Sequence, residues 1–249
     1  MRSLRIIVAT GVLAPLVLAA TACGPNNDDK SSTTATTAPI GTATAAPTGA
    51  GTGAAAKALT QDQLVKALLT VKDLQADQNR SSLGATKSQH KLTANKAACQ
   101  PLLDLADAGN AATPPAASAT GAYFGTNGRE YTVIQLTQFG AGQAAKAMTS
   151  GEAALGSCAA FNATSQGQPA MKVTFSKATF QAAGDATLAL NAKFTADDCA
   201  NAPCEARSYV IVRSGDVLTM LSNSALADPG MPEQDTVKKQ LDKLHAAAK

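Results

Sequence analysis

"ARSYVIVRSGDVLTMLSN", Ala206 to Asn223, is the stretch that decides the fold. Two runs rich in β-branched and apolar residues, Ala206 to Arg213 and Asp216 to Asn223, flank Ser214-Gly215, a pair suited to a tight turn. In the first run Tyr209 and Ile211 alternate with Val210 and Val212. A strand with that pattern has apolar side chains on both faces, so both are partly covered. Strand signals continue upstream. Ala186 to Thr195 places Leu188, Leu190, Ala192 and Phe194 on one face, and Met171 to Phe175 reads as a shorter strand. Tyr131 to Phe139 alternates as a half-buried strand does. Asn127-Gly128 is a hairpin turn signal joining it to a strand through Tyr123 and Phe124.

Helix signals lie around these strands. Thr60 is a candidate N-cap, Gln63 closes a capping box, and Leu59 with Leu64 forms a hydrophobic staple. Leu64, Val65, Leu68 and Leu69 supply that helix with an apolar face, and Thr70 to Leu74 follows as a short turn. The stretch from Gln75 to Ala97 is polar and irregular. Cys99-Gln100-Pro101-Leu102-Leu103 opens a second helix, with Pro in its first turn. Ala141 to Ser157 is a third, its inward stripe being Ala144, Ala147, Met148, Gly151, Leu155 and Cys158. Pro232 to Ala248 is an amphipathic fourth, with Val237, Leu241 and Leu244 inward. The expected class is α+β, with helices on one side of a largely antiparallel sheet and two disulfides.

The chain has five cysteines, and Cys23 stands apart from the rest. Ahead of it lie Arg2 and Arg5, then an apolar run from Ile6 to Ala20. That run is shorter than the ~20 residues a membrane span needs, and it has the flanks of an export signal. The small residues Ala20, Thr21 and Ala22 directly precede Cys23. The pattern reads as a lipobox, with a signal peptide over 1–22 and a lipid on the Cys23 thiol. Ala20 stands where Leu is usual. The expectation is a chain anchored to a membrane without spanning it, on its extracytoplasmic face.

Gly24 to Ala56 is nearly all Ala, Thr, Gly, Pro, Ser and Asn, too poor in large apolar side chains to offset the entropy of ordering it. Residues 23–56 therefore read as a lipidated cysteine and a flexible tether, with an r.m.s. reach of about 30 Å. Gly49, Gly51, Gly53 and Lys57 faintly resemble a phosphate loop, but no strand precedes them and linker composition accounts for them. Residues 57–249 are enough for one well-buried domain.

Cys99, Cys158, Cys199 and Cys204 are even in number and expected where disulfides persist. Three pairings are open to them. Cys199 and Cys204 frame the short loop CANAPC, where a hairpin-tip staple is geometrically easy. The preferred pairing is therefore Cys199–Cys204 with Cys99–Cys158, worth about 2 and about 4 kcal/mol in the loop-entropy model. A zinc site would need further ligands, and the two histidines, His90 and His245, are not at ligand-like spacing from any cysteine.

The pieces LLTVKDL, Cys99-Gln100-Pro101-Leu102, the helix Gln143 to Cys158 and Tyr209-Val210-Ile211-Val212-Arg213 resemble the extracellular sensor domain of PknH-type serine/threonine kinases. They are similar also to bacterial lipoproteins built on that domain. The resemblance covers about residues 57–249. It implies an α+β fold with two disulfides among Cys99, Cys158, Cys199 and Cys204, and a groove for a ligand. The chain departs from the family in having no tryptophan. It carries no kinase domain, so phosphorylation is not implied.

Signals for catalysis are sparse. Gly156-Ser157-Cys158 matches part of a nucleophile elbow but falls at a helix end. His90 and His245 read as exposed bystanders, and Asp197, Asp198 and Glu205 as a solvated hairpin tip in preference to a calcium site. Asn162-Ala163-Thr164 is a glycosylation sequon that matters only if a system reads it. The net charge of +3 falls to about +1 without Arg2 and Arg5. With no basic run, nucleic acid is not an expected partner. The expected function is a membrane-anchored, non-catalytic ligand-binding or sensor-like domain, with no cofactor or metal. Alternatives are an envelope lipid or glycolipid carrier and a protein-interaction module for an envelope partner. The candidate surface is a groove between the sheet and the helix Ala141 to Ser157, where Ala and Gly leave room. The plainer reading of that stripe is close packing.

Overall fold

The computed structural model describes residues 58–77, 81–84, 91–125, 131–196, 199 and 205–249. Contacts divide the chain between residues 51 and 52, and every described residue lies in the second unit. Among the described residues its centre is one antiparallel sheet of nine strands. In chain order these are β1 (Ser82–Gly84), β2 (Leu92–Ala94), β3 (Ala117–Phe124), β4 (Tyr131–Gln138), β5 (Ala160–Ser165), β6 (Met171–Lys177), β7 (Ala186–Thr195), β8 (Glu205–Ser214) and β9 (Val217–Ala225). In space the order is β1-β3-β4-β9-β8-β7-β6-β5-β2. The strands β5 to β9 form a meander, and the last of them inserts beside β4, pairing Tyr131 with Ser224 through to Gln138 with Val217.

Among the described residues four α-helices cover the sheet: α1 (Gln61–Ala67), α2 (Gln100–Ala106), α3 (Gln143–Leu155) and α4 (Gln234–Ala247). They lie on both faces, a correction to the one-sided arrangement expected above. Tyr209, Ile211, Leu218 and Met220 share a core with Leu102 and Leu105 of α2 and with Ala144 and Met148 of α3. Val210, Val212, Val217 and Leu221 share a second core with Leu64 of α1 and with Val237 and Leu241 of α4. Strand side chains alternate between faces, so the two cores lie on opposite sides. The double apolar pattern of Ala206 to Arg213 is the cause. A central strand with Val210 and Val212 on its second face needs a helix layer there as well.

Local chemistry sets the ends of α1. Thr60 accepts from the Gln63 N–H at 3.3 Å, and Gln63 Oε1 accepts from the Thr60 N–H at 2.9 Å, completing the capping box. The α3 stripe is packed tightly. A Cβ on Gly151 would meet Leu105 Cδ2 at 3.0 Å, so glycine lets α3 press onto α2. Cys99 and Cys158 form a disulfide with a Cα–Cα distance of 5.5 Å, tying the turn before α2 to the end of α3. One bridge is seen among the described residues, against two expected. Cys199 is described, but Cys204 lies outside the described residues.

Candidate ligand cavity

A cavity of about 400 Å³ lies between the C-terminal half of α2 and the ends of five strands, β2 and β5 to β8. Its apolar wall is built from Leu103 of α2, Leu92 of β2, Met171 of β6 and Phe194 of β7. Met171 and Phe194 fall on this face by the period-two alternation that buries Val173 and Leu190 with them. Small side chains at Ala106 and Ala196 leave the space open.

Polar groups gather at the β8 end. Arg207 shares a face with Tyr209 and Ile211, a register that carries a guanidinium inward. Its Nε donates to Glu205 Oε1 at 2.7 Å and its Nη2 to Glu205 Oε2 at 3.0 Å, a bidentate pair between residues i and i+2 of one strand. The guanidinium carbon sits 5.5 Å from the Phe194 ring centroid. Burial disfavours its charged form, but Tyr209 and Glu205 outweigh burial and hold its pKa above the ordinary value. Burial pushes the Tyr209 phenol up, with Arg207 partly offsetting it. On the α2 side, Gln135 Nε2 donates to Asp107 Oδ1 at 3.1 Å and Asn110 Nδ2 to Asp107 Oδ2 at 3.0 Å. Asp104 accepts from Gln100 Nε2 at 2.7 Å and from the Ala112 N–H at 2.9 Å. These carboxylates are held by amides and a guanidinium. None is paired with a nucleophile or a histidine in those bonds.

The β2–β5 end differs. Ser165, buried on β5 opposite Leu92, has a hydroxyl without a hydrogen-bond partner among the described residues. Lys91 and Gln168 line the cavity beside it.

The structure distributes the residues singled out in the sequence widely. Cys23, His90, Asp197, Asp198 and Cys204 lie outside the described residues, as do Gly49, Gly51, Gly53 and Lys57. Glu205 is the ion-pair partner of Arg207. His245 is on the exposed side of α4, and Asn162 is exposed on β5. No cluster of three metal-ligating side chains occurs among the described residues. The groove expected beneath Ala141 to Ser157 is closed by packing. A crevice of about 150 Å³ lies beside α3, and it faces α2 and Phe139. Sequence reasoning missed Arg207, Ser165 and Phe194 as a set, although a charged residue in register with Tyr209 and Ile211 was the available signal.

The fold is similar to the extracellular domain of PknH from Mycobacterium tuberculosis. That structure has a TM-score of 0.53 and 14% identity, covering 77% of this chain and 99% of the other. A second solved structure, an uncharacterized protein from Mycobacterium smegmatis described as the Rv0999 ortholog, has a TM-score of 0.30 and 12% identity. It covers 68% of this chain and 85% of the other, but the likeness is too slight to bear on the fold. No family model and no curated protein matches the chain. Among the described residues no helix is long and apolar enough to cross a membrane.

Proposed function

We propose that this chain is an extracytoplasmic lipoprotein, anchored by a lipid on Cys23, whose domain is a non-catalytic ligand-binding module of sensor type. The observation that carries the binding part is the cavity under α2. Its size falls within the range of small-molecule sites, and its apolar wall carries a few convergent polar groups. The fold likeness to an extracellular kinase domain supports the sensor-type reading and the location outside the cytoplasm. The Cys99–Cys158 bridge supports an oxidising compartment. We assign Cys199 and Cys204 to a second staple at the β7–β8 hairpin. The anchor rests on the sequence around Cys23, and the tether over residues 24–56 holds the domain off the surface.

A protein-docking role finds less support. The large apolar side chains exposed among the described residues are Leu83, on the edge strand β1, and Leu226, just past the end of β9.

The test is native mass spectrometry of the chain exposed to an envelope lipid extract, comparing it with Phe194→Ala. A discrete added mass that is lost in the variant supports the cavity as the site. Masses retained equally by both, or none at all, count against it. Metabolic labelling with a palmitate analogue, lost in Cys23→Ala, tests the anchor separately.

A further inference from the structure

The cavity has two ends of different character. They are set apart by the sheet order β8-β7-β6-β5-β2. Arg207 on β8 and Ser165 on β5 are three strand spacings apart, about 14 Å at the usual separation. At the β8 end the guanidinium is already taken by Glu205 in a bidentate pair. Asp104 and Asp107, on the α2 wall, are likewise engaged. The β2–β5 end is not satisfied in this way. Ser165 is 7% exposed, and its hydroxyl lacks a partner among the described residues. A buried hydroxyl without a hydrogen bond costs free energy that a bound acceptor would recover. Lys91 beside it makes no ion pair among the described residues. Gln168 adds an amide to the same end. Between the two ends the apolar lining is Leu103, Met171 and Phe194, with Asp104 and Asp107 beside Leu103 on the α2 wall.

We infer that the cavity takes a single-chain amphiphile with a carboxylate head, a fatty acid in chemical class. The head lies at Ser165, Lys91 and Gln168, and the hydrocarbon lies across Met171 and Phe194. Three donors at one end match an acceptor-only head. Lys91 adds the charge complement, and an ionised acceptor strengthens each bond it receives. The assignment rests on the cavity being the ligand site, as proposed above.

The test uses isothermal titration of the full chain carrying Cys23→Ala, so that no acyl group of its own competes. The probes are decanoate, monodecanoylglycerol and decyltrimethylammonium, each below its micelle concentration. The three share a chain length that fits the span and differ in head charge. Decanoate is expected to saturate at one per chain and to bind at least tenfold tighter than the other two. Ser165→Ala is expected to weaken decanoate about fivefold, the value of one ordinary hydrogen bond. Lys91→Gln is expected to weaken decanoate and leave the glyceride unchanged. Equal or tighter binding of the glyceride or the ammonium overturns the head assignment and leaves the cavity as a ligand site. Decanoate binding that neither variant alters overturns the placement at Ser165 and Lys91. No saturable binding of any probe overturns the inference for this ligand class. If Phe194→Ala also leaves the lipid-extract masses unchanged, the cavity reading falls with it.

Discussion

The Gln61 side chain bonds to the backbone of Ser118 in both directions, Nε2 donating to the Ser118 carbonyl and Oε1 accepting from its N–H at 3.2 Å. It does what a neighbouring strand would do, at a point of β3 that the three-residue β1 does not reach. Near the other sheet edge Asn95 does the same for β5. Its Oδ1 accepts from the Asn162 N–H at 3.1 Å, and its own N–H donates to the Asn162 carbonyl at 2.8 Å. Both edges are thus capped where pairing stops, which blunts a template for intermolecular strand addition.

Gln61→Ala is expected to cost about 1 kcal/mol and to raise self-association through the bared β3 edge. Light scattering coupled to size exclusion reads the second effect. A variant that stays monomeric at high concentration would show that β1 alone protects the edge.

Gln240 is fully buried and joins α4 to the end of α1. Its Oε1 accepts from the Leu69 N–H at 3.0 Å, and its Nε2 donates to the Ala67 carbonyl at 2.8 Å. Gln240→Leu leaves both backbone groups buried and unpaired. The expected loss is about 3 kcal/mol in urea unfolding. A loss below ~1 kcal/mol would mean that the α1–α4 contact relaxes to readmit water.

Replacing Cys99 and Cys158 together by Ala opens a loop with a sequence separation of 59 residues. The expected cost is about 4 kcal/mol, measured against the oxidised chain. Reduction of the native chain should reproduce the same drop in midpoint once any contribution from Cys199 and Cys204 is removed by substitution.

Asp73 carries a pH dependence of known sign. The Thr70 N–H and hydroxyl both donate to its Oδ2, at 2.7 and 2.8 Å, and Lys243 Nζ lies 3.4 Å away. These contacts, the backbone bond foremost, hold its pKa below the ordinary 3.8. The folded state therefore favours the ionised form. The stabilisation is complete above the unfolded value and disappears as pH falls through the depressed folded one. The stability gap between the native chain and Asp73→Asn should be constant near neutrality and close below pH ~4. A gap that persists in acid would assign the effect to packing.

Gly151→Val drives a branched side chain into Leu105 across the α2–α3 seam. The expected cost is 1–3 kcal/mol, roughly, from overpacking, with the cavity on the other side of α2 displaced as α2 moves. Loss of stability without any change in decanoate binding would show that the cavity is insulated from that seam.

Much of this fold is legible locally. Thr60 and Gln63 form the capping box that their spacing predicts. The stripe of Ala144, Met148 and Gly151 is buried, and so are Val237, Leu241 and Leu244 on α4. The β8–β9 turn falls at Ser214-Gly215 with Ser214 paired to Val217. Three strands were not legible. Ala160–Ser165 alternates cleanly between exposed and buried, but of its inward residues Phe161, Ala163 and Ser165 only Phe161 is large and apolar, too little to raise a periodic signal. The edge strands β1 and β2 are three residues each inside a polar stretch, where no hydrophobic period can register. Whether the α3 stripe meant a groove or close packing stayed open for a related reason. Small residues at Gly151 and Ala144 leave room that a neighbouring element then fills, and composition does not report which outcome occurs.

By itself the sequence determined most of the strand and helix segments and the double apolar face of Ala206 to Arg213, and the expectation of a lipid anchor at Cys23 rests on it alone. These follow from side-chain period and from short-range chemistry, both written within a few neighbouring residues. Only the tertiary structure decided that β9 fills the gap beside β4, that α1 and α4 cover one face while α2 and α3 cover the other, and that Ser165, Phe194 and Arg207 line one cavity. Those are pairings between residues tens of positions apart. Their cost is loop-closure entropy and their return is burial shared among several elements, so no local pattern in the chain records them.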